Sequence, residues 1–594
     1  MKITECKIIL PNDVDFYEDY AHKELLLRVK EATGVDLPVF FDNGLPTTEN
    51  VISIGRTELF KKSGITATFS ELTRDGYKIV KKDNVIYLIG GGSYGTVYAV
   101  YGFLERQLGY TFYCDDEVFY SKQDNLEIED YCITDIPDIE NRTGGWYFSW
   151  KNDDGAIRRK TFTYFGMMRD GEEFFGSWAH NHFDYLPISK YREQHVDWYS
   201  PEFTQLCLSN EEMWVEFAKR VIERIKERPK AEYFLLGQMD RPTFCGCQKC
   251  LELQKTIGKS GIMMRFVNYV AREVKKWQNE NCPERNILIG TFAYQKTQDP
   301  PVTIDEQGNY HAVDESVIPE DNVFIMLAPI SADCSVVIDD ETHNSKAKKT
   351  LEGWNFLTKR CILWIYCSNF DRKFGFFDNF HVLSENYKIF KKYQFRWLYY
   401  ENNVSRGGTA FQPLLCYLHS KLAWDVNVDV KALTEDFMDH YYKESAPYMK
   451  EYLASFDRYY KQRKAEWSER DGRYYGTYLW NGQEETSVMD KDFHTWEFLS
   501  EMSELLKKAE DAIKNADYDK EKEQVMLDRI LIESLTVKFF IAEFYSHKFN
   551  KNEYLDFLDA FKADCEKFEI KNIKRGRTLE IDFNEWREKM QIAK

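Results

Sequence analysis

Positive charge is scarce in this sequence. Lys and Arg number 79 against 98 Asp and Glu, a formal net charge of −19. An acidic surface repels phosphate backbones, so nucleic acid is not an expected partner. Proline (15) and glycine (31) are too sparse in 594 residues for a disordered or collagenous chain. Cysteines number 13, an odd count, and are scattered apart from one cluster at 245–250. A disulfide framework is therefore not expected, and a reducing compartment is. The opening MKITECKIILPNDVDFYEDY lacks the apolar core and small-residue cleavage site of a signal peptide, so a cytoplasmic location is expected. One uncharged run, Ile86 to Leu104, has the length of a membrane span. It holds five glycines and four tyrosines, and reads instead as a strand, a glycine turn and a helix. No membrane partner is expected.

Aromatics are abundant at 16%. Most serve cores, but flat rings also suit stacking against sugars. The length fits three or four domains, or a barrel of about 250 residues with flanking domains. Residues 1–135 alternate strand and helix signals. Tyr20–Ala32 carries a helical stripe that stops at Gly34, and Gly76–Val80 with Val85–Ile89 reads as a hairpin. This predicts a small α/β domain. Residues 136–425 repeat short apolar segments, most of them separated by helical ones: Trp146–Trp150, Tyr233–Gly237, Ile287–Phe292, Val323–Leu327, Cys361–Tyr366 and Trp397–Tyr400. That alternation predicts an α/β fold with a (β/α)8 TIM-type barrel, six strands being legible and eight inferred. Residues 426–594 are charged, periodic and poor in glycine, which predicts a helical C-terminal domain.

In such a barrel the chemistry lies where strands end and loops begin. Asp240 follows the Tyr233–Gly237 segment and Glu401 follows Trp397–Tyr400. Two carboxylates facing one pocket suit glycoside hydrolysis, one protonated to assist the leaving oxygen and one charged. A carboxylate after a strand is equally a common helix cap or salt-bridge partner. Trp178, His180, His182, Tyr294, Trp364, Tyr366 and Asn369 sit at comparable positions and are the expected substrate-binding residues. The two histidines also invite a metal-pair reading, though their i, i+2 spacing suits hydrogen bonding to sugar hydroxyls at least as well. Cys245, Cys247 and Cys250 place three thiols within six residues, enough to begin a structural zinc site that needs a fourth ligand. No companion Cys or His stands at an identifying spacing, and a free-thiol turn or one local disulfide fits the same residues. Gly90-Gly-Gly-Ser-Tyr-Gly95 lacks the Gly-Lys-Ser/Thr ending of a phosphate loop and reads as a strand-to-helix turn.

Tyr20-Ala-His-Lys-Glu-Leu25, Ala32-Thr-Gly34-Val-Asp-Leu-Pro38 and Gly90 to Ala99 resemble the domain that precedes the barrel in β-hexosaminidases and α-glucuronidases. Phe244-Cys-Gly-Cys-Gln-Lys-Cys250, Phe292-Ala-Tyr294, Trp364-Ile-Tyr366 to Phe370, Tyr400-Glu-Asn402 and Ala423-Trp-Asp425 resemble the domain-of-unknown-function 4838 family. Part of that group is glycoside hydrolase family 163, endo-acting β-N-acetylglucosaminidases on complex N-glycans. The resemblance implies a glycoside hydrolase-like barrel with an oligosaccharide or glycan substrate and no cofactor needed for catalysis. Two departures stand out. Trp364-Ile365-Tyr366 replaces a frequent Trp-Asp-Tyr, and Asp240 is followed by Arg241 rather than completing the Asp-Glu pair of β-hexosaminidases.

The expected function is hydrolysis of a β-N-acetylglucosaminide or N-glycan-type oligosaccharide, or of a uronide, with Asp240 and Glu401 as the carboxylate pair. The alternatives are a non-catalytic carbohydrate-binding barrel and a metal-dependent enzyme using the Cys cluster or the His pair. Sugar, linkage, stereochemical outcome and oligomeric state are not legible in the sequence.

Overall fold

Apolar runs and amphipathic stripes alternate along the chain. The computed structural model, which describes residues 1–42, 49–120, 127–145, 153–162, 175–402, 409–479 and 492–592, gathers them into a six-stranded and a seven-stranded sheet, with two two-stranded ones beside them, and helices packed against them. The chain divides into two units: residues 1–140 with 154–161 and 416–429, and residues 141–153 with 162–415 and 430–594. The expected boundaries at 135 and 425 are cut differently here, because the C-terminal helices cluster with the barrel and residues 416–429 cluster with the N-terminal sheet.

In the first unit the strands are β1 (Lys7–Leu10), β2 (Val39–Phe41), β3 (Val51–Ile54), β4 (Tyr77–Lys82), β5 (Val85–Gly90), β6 (Thr111–Cys114), β7 (Glu117–Phe119) and β8 (Cys132–Asp135). The main sheet runs β2-β1-β3-β5-β4-β8, parallel from β2 to β5 and antiparallel at β4. The Phe16–Thr33 helix begins with a reciprocal cap between Asp15 and Glu18 and ends at Gly34, whose φ of 76° only glycine adopts without strain. The uncharged run at 86–104 is β5, a glycine turn and the Ser93–Leu108 helix. A Cβ on Gly90 would lie 2.1 Å from the Thr96 amide, and one on Gly95 would lie 2.5 Å from the Gly76 carbonyl. Those glycines are required by close backbone approach. Among the described residues no helix is long and apolar enough to cross a membrane.

The second unit holds a sheet of seven strands among the described residues: β9 (Asn141–Gly144), β10 (Phe175–Ser177), β11 (Tyr233–Leu235), β12 (Leu288–Ala293), then β15 (Val323–Leu327), β16 (Cys361–Tyr366) and β17 (Trp397–Glu401). A separate hairpin of β13 (Val302–Ile304) and β14 (Tyr310–Ala312) lies between β12 and β15 in the chain. The order is β10-β11-β12-β15-β16-β17-β9, parallel throughout, the wall of a TIM-type barrel. The expected strand Trp146–Trp150 lies outside the described residues. The first described strand is instead Asn141–Gly144, and a parallel bridge joins its Thr143 to Phe162. Phe175, Leu235, Leu288, Phe292, Phe324, Met326, Ile362 and Trp397 form one apolar cluster. Gly290 makes room for it, since a Cβ there would meet the Phe324 ring at 2.1 Å. Helices cover the sheet. In Glu211–Glu227 the buried Met213, Phe217, Val221 and Ile225 recur every four residues on one face.

The later helices include Val430–Tyr442, Ala446–Asp471, Trp496–Lys514, Lys520–Phe544, Lys551–Lys567 and Leu579–Ile592. Glu533 joins them to the residues after β17. It is 2% exposed, accepts the Phe411 amide at 2.8 Å and pairs with the Tyr442 hydroxyl at 3.1 Å. Burial pushes its carboxyl up to about 7. A carboxyl raised in the folded state holds its proton better there than when unfolded. Its stabilising contribution is complete below about 4.5 and is lost as pH rises through about 7. Glu533→Gln, which keeps an acceptor for Phe411 and a donor for Tyr442, is expected to flatten the fall of Tm across that window. Thermal melts at several pH values check this.

Candidate active site

The loops after β10, β11 and β12 are bound to one another before any side chain reaches a ligand. Asn181 donates to the Leu235 carbonyl at 2.7 Å and accepts the Gly237 amide at 2.9 Å. Gln238 donates to the Tyr294 carbonyl at 3.0 Å and accepts the Thr297 hydroxyl at 3.1 Å. Gln205 closes the web from outside. It accepts the Met239 amide at 3.1 Å and donates to the Met239 carbonyl at 2.8 Å. The backbone on both sides of Met239 is thus fixed, and Asp240 is the next residue.

Asp240 is exposed and accepts hydrogen bonds from the Tyr294 hydroxyl at 3.2 Å and from Gln295 at 3.3 Å. Gln295 also donates to the Tyr294 oxygen at 2.9 Å. Burial, and then the nearby Asp240 charge, hold the Tyr294 phenol well above its ordinary range, so it remains a donor. His180 presents Nδ1 to the Gln238 carbonyl at 2.6 Å. A carbonyl only accepts, so Nδ1 carries a proton and Nε2 is the ring nitrogen left to meet a ligand. The ring lies against Phe292 and Tyr294, with centroids 5.3 and 5.9 Å away.

Glu401 is the last residue of β17, opposite Tyr366 in register. Burial pushes its carboxyl up to about 8, and a hydrogen bond from Tyr399 opposes this only in part. At neutral pH it therefore carries its proton. Burial holds the Tyr366 phenol far above its ordinary range, so it too keeps its proton.

A cavity of about 140 Å³ gathers these groups. Its walls carry the polar Asp240, Glu401, His180 and Arg575, the aromatic Tyr294, Trp364, Tyr366, Phe292 and Phe370, and the aliphatic Ala328, Ile330 and Leu479. A carboxyl that is protonated and a second carboxyl that accepts hydrogen bonds thus face one aromatic-lined space. That arrangement can give a proton to a leaving oxygen and hold negative charge nearby.

Three expected substrate-binding residues lie elsewhere. His182 is 1% exposed, with its ring edge-on to Phe217 and Phe266, and burial lowers it to about 3. It opens a one-turn helix whose first side chain turns inward, so it neither faces the cavity nor pairs with His180 around a metal. Trp178 is not among the lining residues and stacks on Trp364, with ring centroids 5.9 Å apart. Asn369 shapes its own loop, accepting the Arg372 amide at 2.8 Å and donating to the Tyr478 carbonyl at 3.0 Å.

Arg575 and Leu479 come from the C-terminal region and escape a search confined to strand ends. Leu479 is delivered by Asp333, just beyond β15. That carboxylate accepts the Thr477 amide at 2.8 Å and the Tyr474 hydroxyl at 2.5 Å, and the Leu479 carbonyl receives the Phe370 amide at 3.0 Å. Arg575 is delivered by backbone pairing of 573–575 with 371–373, with Arg575 donating to the Asp371 carbonyl at 3.2 Å.

Cys245, Cys247 and Cys250 lie just beyond Asp240, and Cys207 joins them from the segment before the Glu211–Glu227 helix. The four sulfurs all lie within 4.8 Å of one another.

The chain is similar to the solved structure of a family GH115 4-O-methyl-α-glucuronidase, BtGH115A, described as specific for decorated arabinogalactans. The TM-score is 0.60 at 10% identity, covering 95% of this chain and 76% of that one. It also matches CpGH84D at a TM-score of 0.44 and 11% identity, covering 99% and 96% of the two chains. No curated protein matches. At such identity the first likeness bears on the fold, and it agrees with the barrel described above. Residues 112–454, more than half of the chain, match the family described as domain of unknown function DUF4838, and the chain belongs to that family.

Proposed function

We propose that this protein is a glycoside hydrolase in which Glu401 is the proton donor and Asp240 the charged carboxylate. The observation that carries the reading is Glu401. Its carboxyl, raised to about 8, lines the same cavity as the hydrogen-bonded Asp240. A raised acid beside an ionised partner is the division of labour that glycosidic cleavage requires. The aromatic walls offer faces for a sugar ring, and His180 Nε2 offers a hydrogen-bonding partner for a hydroxyl. Within the proposal Tyr294 orients Asp240.

Of the two substrate classes, a uronide is favoured over a β-linked amino sugar. Among the described lining residues Arg575 brings a guanidinium to the wall, suited to a sugar carboxylate. The residue after Asp240 is the exposed Arg241 rather than a second carboxylate. The glucuronidase activity of the similar barrel points the same way. Arg575→Met is expected to raise KM for a uronide by about 10–100-fold, the range of a hydrogen bond to a charged group, and to leave neutral glycosides unchanged. Michaelis curves on matched uronide and neutral substrates test this. Equal effects on both would move the substrate to the amino-sugar class.

A further inference from the structure

The geometry points to a structural zinc ion held by Cys207, Cys245, Cys247 and Cys250, which pins the loop bearing Asp240. None of the thirteen cysteines is joined in a disulfide, so the four sulfurs are not held together that way. Cys207 Sγ lies 3.6 Å from Cys247 Sγ and 4.0 Å from Cys250 Sγ. The edge of a sulfur tetrahedron with zinc–sulfur bonds of about 2.3 Å is about 3.8 Å, between those two values. Cys207, Cys245 and Cys250 are buried, with Phe244 packed against them, so the site is closed and has no open position for a substrate. Donors to sulfur are in place as well. The Cys250 amide reaches Cys247 Sγ at 3.4 Å and the Cys247 amide bonds to Cys245, while Ser209 Oγ, which accepts from the Cys250 thiol at 3.1 Å, can turn its own hydrogen to that sulfur once the thiol proton is gone. Cys247 caps the N-terminus of the Gln248–Asn281 helix, where the backbone favours negative charge. On binding, each of the four thiols loses its proton to solvent. The resulting complex carries two negative charges, which these N–H and O–H groups and the helix end offset.

The placement gives the ion a task. Gln205, which holds Met239 by both its amide and its carbonyl, stands two residues before Cys207. Asp240 stands five residues before Cys245. The two chain segments around Asp240 are therefore clamped at one end by Gln205 and at the other by the metal. This consequence for turnover rests on the hydrolase reading, whereas the metal content does not.

The test is elemental analysis of the full chain purified without chelator or metal-affinity resin. About one zinc per chain is expected, falling below about a tenth in Cys207→Ser. Cys207→His, which supplies another accepted zinc ligand, is expected to retain the ion, and Cys565→Ser, outside the cluster, to leave it unchanged. Cobalt-loaded protein should show the intense visible absorption of a tetrahedral thiolate site. Iron in its place, no stoichiometric metal, or zinc undiminished in Cys207→Ser would overturn the assignment. Zinc removal is also expected to lower kcat by about 10²-fold through displacement of Asp240. Unchanged kcat in a zinc-depleted, folded protein would overturn the positioning role alone. Absence of turnover on any glycan would count against the hydrolase reading and leave the metal result standing.

Discussion

Glu401→Gln is expected to lower turnover of an unactivated glycoside by about 10²–10⁴-fold, the usual range for a lost general acid. Glutamine keeps the size of the side chain and places no charge at the end of β17, so the barrel wall is undisturbed. What is lost is the proton for the leaving oxygen. An aryl glycoside whose phenolate leaves without protonation should therefore recover most of the rate in the variant. The pH profile gives an independent reading. The active form is the protonated one, and burial raises the carboxyl to about 8, so kcat/KM should hold through neutrality and fall as pH rises through about 8. That alkaline limb should vanish in Glu401→Gln assayed on the aryl substrate. Stability follows the same sign: this carboxyl's contribution is complete below about 4.5 and is lost as pH rises through about 8. The variant should lose less Tm than the parent over that interval.

Asp240→Asn is the second large effect, also about 10²–10⁴-fold in kcat. Asparagine still accepts from Tyr294 and Gln295, which lie 3.2 and 3.3 Å from the carboxylate oxygen. The web through Gln205 and Gln238 fixes the backbone, so the loop stays in place and KM should change little. The charge is what disappears. A better leaving group should not restore this variant, because the missing interaction is with charge that develops on the sugar rather than on the departing oxygen. The two variants thus separate the roles: leaving-group rescue belongs to Glu401 and its absence to Asp240. Equal rescue of both, or of neither, contradicts the assignment of the acid.

The sequence brings Asp240 and Glu401 to one rim because each stands at or just after a strand end, and both line the cavity. Tyr294, Trp364, Tyr366 and His180 followed from the same rule and line the same cavity. Other parts were hidden for physical reasons. Asn141–Gly144 is polar along its length, yet it is a barrel strand. Arg142 is buried in it with its guanidinium 5.5 Å from the Phe162 ring. Phe175–Ser177 is three residues long with a glycine at its centre. Neither offers the apolar run by which strands are recognised. Cys207 completes the thiol cluster from a distant segment, and only the packing of the segment before Glu211–Glu227 brings it there. Arg575 and Leu479 arrive from a region whose visible signal is helical periodicity, and strand-end reasoning does not reach it. His182 shows the converse. Its residue type and its nearness to His180 suggested a ligand contact, but one helical turn rotated it between Phe217 and Phe266. The long helix Gln248–Asn281 runs through Gly258, whose φ of 72° interrupts the helical geometry.

The measurement that bears most directly on the central claim is product analysis by mass spectrometry. The protein is incubated with uronic-acid oligosaccharides, free β-N-acetylglucosaminides and complex N-glycans, alongside folded Glu401→Gln and Asp240→Asn. The account predicts release of a sugar or glycan fragment by the parent chain, foremost from the uronic-acid set, and loss of that release in both variants. No release from any class by folded protein, or release unchanged in both variants, would contradict it.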